Sequence, residues 1–146
     1  MIAKSIADTR KFAKDLIEIL SKNKTDKAVI LDLVGDLGAG KTTLVQMMGR
    51  ELGVKETIQS PTFVLMKSYK TKHSIFKNLI HIDAYRIEHI EEVKILNLEK
   101  IFSDKDNLVC IEWAEKIREV VPENSVKVVC KLLENDKHGY EVKENF

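Results

Sequence analysis

The residues from Gly35 to Thr42 have the types and spacing of a phosphate-binding loop. They read G-D-L-G-A-G-K-T, which matches the pattern G-x-x-x-x-G-K-[ST] with Lys41 at the lysine position. Glycines let backbone N–H groups curl around phosphate oxygens in conformations that a Cβ resists. In such a loop the lysine reaches the β- and γ-phosphates, and the next hydroxyl, here Thr42, takes one position around Mg²⁺. The pattern therefore predicts a site for a nucleoside triphosphate and Mg²⁺.

Two further strand-like segments end in an acidic residue. Asn78–Asp83 reads N-L-I-H-I-D, and Asn107–Glu112 reads N-L-V-C-I-E. A carboxylate at the carboxyl end of an apolar strand, downstream of a glycine loop, is typical of nucleotide hydrolases, where it holds Mg²⁺ directly or through water. One of the two carboxylates is predicted to hold Mg²⁺ and the other to orient the attacking water, and the sequence does not assign them. Ser60 and Thr62 are candidates for a loop that senses the γ-phosphate, although Ser-Pro-Thr is also ordinary turn chemistry.

The segments around these residues predict the elements that position them. Val29–Val34 is an apolar strand, and Thr42–Leu52 has helical spacing with Gly53 as its stop. The new helix directs unpaired N–H groups and the positive end of its dipole at a bound anion. In a largely parallel sheet, ligands bind beyond the carboxyl ends of the strands, so Asp83 and Glu112 are expected to lie near the glycine loop.

The rest of the chain interleaves helices and strands, which predicts an α/β, three-layer P-loop NTPase-like fold. Its central sheet is expected to be mostly parallel, with a C-terminal β-hairpin, and residues 1–146 to form a single domain. The other predicted elements are a helix at Thr9–Leu20 capped by Asp8 or Thr9, a strand at Phe63–Tyr69, a helical segment at Ile90–Phe102 broken near Asn97, and a hairpin formed by Val126–Leu133 and Tyr140–Val142.

Several single residues have more than one interpretation. Core packing is favoured for Trp113 over adenine stacking or a partner contact. His81 lies within a strand, which favours a core position or one just behind the site. Arg86 is placed to approach phosphate or to cap the next helix, and His73 and His138 are predicted to lie in loops.

Composition excludes several classes of protein. The net charge is +1, with 32% charged and 44% hydrophobic residues, so the total charge gives no sign of direct DNA or RNA binding. No apolar run approaches the length of a membrane span, and the cytoplasm is the expected compartment. Cys110 and Cys130 are too few for a zinc site and are expected to be reduced core residues.

Asn23–Asp26 matches the N-K-x-D pattern with which GTPases recognise guanine. In that fold the motif ends its own strand, whereas here only a short polar loop and one strand separate it from Gly35. A parallel crossover needs a dozen or more residues. The match is interpreted as coincidence, and ATP is preferred to GTP.

Four motifs in this order resemble the TsaE family, formerly YjeE, of small bacterial ATPases needed to make threonylcarbamoyladenosine in tRNA. They are G-D-L-G-A-G-K-T-T (Gly35–Thr43), S-P-T-F (Ser60–Phe63), H-I-D-A-Y-R (His81–Arg86) and I-E-W-A-E-K (Ile111–Lys116). Leu96–Phe102 is also similar to a helix of the family, with Asn97 where the family usually has Gly. The resemblance covers roughly Asp8 to Lys116, and the C-terminal hairpin carries no matching motif.

The resemblance implies roles for matching residues. Thr42 and Glu112 are implied to hold Mg²⁺, Asp83 to support hydrolysis, and Ser60 and Thr62 to sense the nucleotide. The implied catalytic residues are thus Asp83, Glu112 and Thr62. The implied contacts with ATP or ADP are Thr9 (or Asp8) near the base, together with Leu37, Gly38, Ala39, Gly40, Lys41, Thr42 and Thr43. Trp113 matches an aromatic position near the same site.

The resemblance also implies partners. In the family, the TsaD–TsaB complex transfers the threonylcarbamoyl group, and this chain would reset that complex by hydrolysing ATP. The chain would then act on tRNA only indirectly, through the complex.

Two other functions stay open. A small-molecule kinase shares the loop and the size, but such kinases generally need an arginine-bearing lid, and the four arginines here are dispersed. A nucleotide-gated binding module with negligible catalysis is the third possibility.

Overall fold

The computed structural model describes residues 1–143 as seven strands in a single sheet with helices on both faces. Glu144–Phe146, which the predicted domain includes, lie outside the described residues. The strands are β1 (Ile2–Ala3), β2 (Val29–Val34), β3 (Met66–Lys70), β4 (Asn78–Asp83), β5 (Asn107–Glu112), β6 (Val126–Leu132) and β7 (His138–Lys143). The helices are α1 (Ile6–Lys22), α2 (Lys41–Leu52) and α3 (Leu98–Ser103), with 3₁₀ turns at Ile90–Leu96, Ala114–Val120 and Glu134–Asp136.

The strand order is β1-β7-β6-β2-β5-β4-β3. The four central strands, β6, β2, β5 and β4, pair in parallel, whereas β3 and β7 pair antiparallel to their neighbours at the two edges. This confirms the predicted α/β fold with a mostly parallel centre and a C-terminal hairpin. The short strand β1, which pairs with β7, was not predicted.

The core has two halves because successive side chains of a strand point to opposite faces of the sheet. In β5, Leu108 and Cys110 pack under α1 and α2, whereas Val109 and Ile111 pack under α3 and the first two 3₁₀ turns. Every residue of β5 is buried, as expected for a strand covered on both faces. The three-layer arrangement follows from this pattern.

Three predicted element boundaries were wrong for local reasons. Helix α1 begins at Ile6, because Ser5 rather than Asp8 or Thr9 is the cap: its hydroxyl accepts a hydrogen bond from Asp8 N at 3.2 Å. Strand β3 begins at Met66, not Phe63. Pro61 starts a turn in which its carbonyl accepts from Leu65 N at 2.7 Å, and Leu65 has a left-handed φ of 67°.

The third wrong boundary concerns His138, which begins β7 rather than lying in a loop. The predicted break near Asn97 is confirmed, since Asn97 has a left-handed φ of 51° between a 3₁₀ turn and α3. His73 lies in a loop, as predicted.

Both cysteines are buried thiols, as predicted. Desolvation is the main cause that raises the pKa of Cys110, and it raises the pKa of Cys130 to about 12. Within residues 1–143, no helix is long and apolar enough to cross a membrane.

Candidate functional site

The glycine loop joins the end of β2 to the start of α2. Gly38 and Gly40 have left-handed φ values of 79° and 97°, and Gly40 is the residue that caps α2. Among residues 1–143, no side chain caps the first N–H groups of α2, so these donors are available to an anion. The loop therefore has the backbone shape and the free donors that a phosphate group needs.

Lys41 is held at the mouth of this loop. The residue is only 5% exposed, and its Nζ donates a hydrogen bond to the Gly35 carbonyl. The same Nζ lies 3.8 Å from the centroid of the Trp113 ring, a cation–π contact. The sequence favours core packing for Trp113, whereas the structure leaves this ring half-buried at the site, where it packs partly on the core and partly against Lys41.

Thr42 and Glu112 form a close pair of oxygen donors. The Thr42 hydroxyl lies 3.1 Å from Glu112 Oε1 and 2.9 Å from Oε2. Behind this pair, His81 Nε2 lies 2.6 Å from Glu112 Oε2. His81 is fully buried, so its expected position in the core just behind the site is confirmed.

Asp83 is tied to the Ser60–Thr62 loop. Its Oδ2 accepts hydrogen bonds from the Ser60 hydroxyl at 3.0 Å and from the Thr62 hydroxyl at 2.9 Å. Its Oδ1 accepts from Tyr85 N at 3.0 Å, and its own backbone N–H donates to the Leu65 carbonyl. The loop and the end of β4 thus form one hydrogen-bonded unit.

These groups surround one cleft of about 450 Å³. Asp83 and Glu112 are paired residues at the adjacent ends of β4 and β5, which confirms that the two acidic strand ends meet. The cleft is lined by Leu37, Gly38, Ala39, Gly40, Lys41, Thr42, Thr43, Ser60, Thr62, Asp83, Tyr85, Glu112, Trp113 and His138. The predicted catalytic, metal-binding and nucleotide-binding residues therefore line it, except Thr9 and its alternative Asp8.

Thr9 lies elsewhere. It is 1% exposed, its hydroxyl donates to the Ser5 carbonyl at 3.4 Å, and it contacts the Tyr140 hydroxyl behind the loop. The proposed contact between Thr9 and the base stays a prediction. Arg86 also lies outside the lining, with its guanidinium carbon 4.4 Å from the centroid of the exposed Phe63 ring.

Sequence reasoning missed the part that the C-terminal hairpin takes in the site. His138 Nδ1 lies 3.1 Å from the Ala39 carbonyl, and the Tyr140 hydroxyl points at the Gly40 carbonyl at 3.5 Å. A Cβ at Gly40 would come within 2.8 Å of that hydroxyl and 2.9 Å of His138 Nδ1, so only glycine fits. Burial raises the pKa of Tyr140. The sequence of β7 predicts a strand of the closing hairpin, but a strand pattern does not show which loop the strand contacts.

The donor chemistry fits Mg²⁺. This ion prefers oxygen ligands and usually takes only one or two protein ligands, leaving phosphate and water to complete its shell. Thr42 Oγ1 and the Glu112 carboxylate are such oxygens and already face each other. Asp83 lies beside them at the paired end of β4.

Comparison with known proteins agrees with this geometry. A family model described as "Threonylcarbamoyl adenosine biosynthesis protein TsaE" matches residues 3–140. The chain belongs to the TsaE family. This match is longer at both ends than the region from Asp8 to Lys116 in which the motifs resemble the family. It includes His138 and Tyr140, the hairpin residues that contact the glycine loop.

Relatives within the TsaE family cover most of the chain. The tRNA threonylcarbamoyladenosine biosynthesis protein TsaE of Haemophilus influenzae is 37% identical over 118 residues, which are 81% of this chain and 72% of that protein. The protein of the same name from Rickettsia bellii is 38% identical over 137 residues, 93% of this chain and 88% of that protein. The crystal structure of Bacillus subtilis YdiB superposes with a TM-score of 0.71 at 26% identity, covering 96% of this chain and 80% of that one.

Proposed function

We propose that this chain is an ATPase that acts in the biosynthesis of threonylcarbamoyladenosine in tRNA, slowly alone and faster with the TsaD–TsaB complex. The observation that supports it best is the convergence of the glycine loop, Lys41, the Thr42–Glu112 pair and Asp83 on one cleft. The membership in the TsaE family supports the pathway. The partners come from the resemblance of the four motifs to that family.

The positions of the donors support the binding roles that we propose. The N–H groups of the loop and of the first turn of α2 bind the phosphate oxygens, and Lys41 leaves the Gly35 carbonyl to reach the β- and γ-phosphates. Thr42 and Glu112 hold Mg²⁺, which when bound neutralises charge on the phosphates. Glu112 is thereby assigned to the metal and Asp83 to the attacking water.

Asp83 connects this role to the sensing loop. Both hydroxyls of the loop are bonded to its Oδ2. A γ-phosphate oxygen is a charged acceptor, as the Asp83 carboxylate is, so it would compete with Asp83 Oδ2 for the hydroxyls of Thr62 and Ser60. Transfer of one hydroxyl to the phosphate would free Asp83 Oδ2 to accept a hydrogen bond from the attacking water.

Replacing Glu112 by alanine is expected to weaken ATP binding about tenfold in the presence of Mg²⁺, because the metal loses a charged ligand worth roughly 1.5 kcal/mol. In EDTA the affinity is expected to change little. Calorimetric titration with ATP, in Mg²⁺ and in EDTA, checks this. Glu112→Gln is the matched control, which keeps the shape of the side chain but not its charge. Equal weakening with and without metal would instead assign Glu112 a structural role.

The whole proposal is tested by counting modified tRNA. With ATP, TsaD–TsaB and the threonylcarbamoyl donor, the wild-type chain is expected to raise the yield well above one modified tRNA per complex. The chain carrying Lys41→Ala serves as the control and is expected to leave the yield near one. Modification that continues past one turnover without this chain contradicts the proposal. Phosphorylation of a small metabolite in the absence of any protein partner would establish the kinase function instead.

A further inference from the structure

His81 is a fully buried polar side chain in the interior of β4. It faces the side of the sheet covered by α1 and α2, with Cys110 as its register neighbour on β5. Its only hydrogen bond among the described residues joins Nε2 to Glu112 Oε2 at 2.6 Å, and Nδ1 has no partner. Burial of a polar ring costs free energy unless its groups are paired, so the position of His81 calls for an explanation beyond packing.

The carboxylate decides which nitrogen carries the proton. An ionised carboxylate only accepts hydrogen bonds, so Nε2 must be the donor. In the Nε2–H tautomer the unpaired Nδ1 is a bare acceptor. The other tautomer would leave a buried N–H without a partner and would direct the Nε2 lone pair at the negative charge of Glu112. The surroundings therefore select the Nε2–H tautomer.

Glu112 stands between His81 and Thr42. Within the described part of the chain, Oε2 accepts from both His81 and Thr42, whereas Oε1 accepts from Thr42 alone. His81 is fully buried and does not line the cleft, so its donor reaches Glu112 from the protein interior. It can therefore remain in place when the Thr42 hydroxyl turns towards another ligand.

We propose that His81 is a positioning residue that holds the Glu112 carboxylate facing Thr42, so that the two oxygen donors are in place before Mg²⁺ arrives. This inference rests on the proposed nucleotide and metal binding. Glutamate has three side-chain torsions, and a fixed donor behind the carboxylate removes the need to order them on binding. Hydrogen-bond partners of metal ligands typically change metal affinity 10–100-fold when they are replaced.

The test compares His81→Leu, which keeps apolar volume but loses the donor, with His81→Gln, whose amide N–H reaches about as far as Nε2. In His81→Leu, the apparent dissociation constant for Mg²⁺, measured by calorimetry with a saturating non-hydrolysable ATP analogue, is expected to rise about tenfold. The affinity for the analogue in EDTA is expected to stay within about twofold of wild type. His81→Gln is expected to recover most of the Mg²⁺ affinity.

A structural role would weaken binding equally with and without Mg²⁺, and that result would overturn the inference. Unchanged Mg²⁺ affinity in His81→Leu, or failure of His81→Gln to recover it, would overturn it too. If His81→Leu does not fold, ¹⁵N NMR of the wild-type chain decides: Nε2 is expected to carry a proton, and an Nε2 without a proton would contradict the proposal. Failure of the wild-type chain to bind the analogue would refute the proposed function itself, which is a distinguishable result.

Discussion

Replacing Lys41 by alanine is expected to weaken ATP binding by about 10- to 150-fold. Lys41 is the only lysine or arginine among the described residues that line the cleft, and in the proposed function it reaches the β- and γ-phosphates. The loss of a charge-assisted hydrogen bond to phosphate costs roughly 1.5–3 kcal/mol, which corresponds to this range of affinities. The side chain is buried against Trp113, so part of the contact with that ring is lost as well.

Two readouts measure the effect of Lys41→Ala. Calorimetry gives the affinity directly, and the fluorescence of Trp113 reports on the site, because it is the only tryptophan in the chain and lies 3.8 Å from Lys41 Nζ. Lys14→Ala, on the exposed side of α1, is the matched control, since it removes the same charge away from the cleft. Unchanged ATP affinity in Lys41→Ala would refute the assignment of the glycine loop to phosphate.

The parts of the site that the sequence predicted correctly depend on local pattern and on general topology. The glycine loop has its own sequence pattern, and the apolar segments ending in Asp83 and Glu112 are recognisable as strands. Parallel strands bring their carboxyl ends to one edge of the sheet, so the proximity of Asp83 and Glu112 could be predicted without knowing the strand order.

The parts that the sequence did not predict depend on contacts between distant segments. Tyr140 and His138 touch the glycine loop because β7 returns beside β6, which is itself paired with β2. Nothing in the local pattern of a closing hairpin specifies that neighbour. The turn at Leu65 also depends on a distant segment, because Asp83 N, at the end of β4, donates a hydrogen bond to the Leu65 carbonyl.

Stimulation of ATP hydrolysis by the TsaD–TsaB complex is the largest effect that we expect. Rapid phosphoryl transfer requires an oriented water and also a group that stabilises the developing negative charge. In related enzymes an arginine supplied by a partner raises the turnover rate by a factor of about 10³ or more. All four arginines of this chain lie within the described residues, and none lines the cleft. Arg10 and Arg118 are paired with Glu51 and Asp32, and Arg86 lies over Phe63. The isolated chain is therefore expected to bind Mg-ATP but to turn it over slowly.

The surface beside the cleft is suited to a protein that completes the site. Leu37 in the glycine loop is 66% exposed, and Phe63, next to Thr62 of the sensing loop, is 83% exposed. Leu37 lines the cleft and Phe63 follows Thr62, which also lines it, so a partner that completes the site from this side would cover both side chains. A partner seated there would contact both the loop that binds phosphate and the loop that is bonded to Asp83.

Phosphate release at saturating Mg-ATP, with and without the complex, measures this stimulation. We expect a rise of about 10³-fold for the wild-type chain. The control for hydrolysis by the partners themselves is the complex mixed with the Lys41→Ala chain, at an ATP concentration that saturates only the wild type. Its rate of phosphate release is expected to stay near that of the complex alone. A rate that the complex leaves unchanged would contradict partner activation, even if binding of ATP is intact. In that case the chain would be a nucleotide-gated binding module, whose bound nucleotide rather than its turnover acts on the complex.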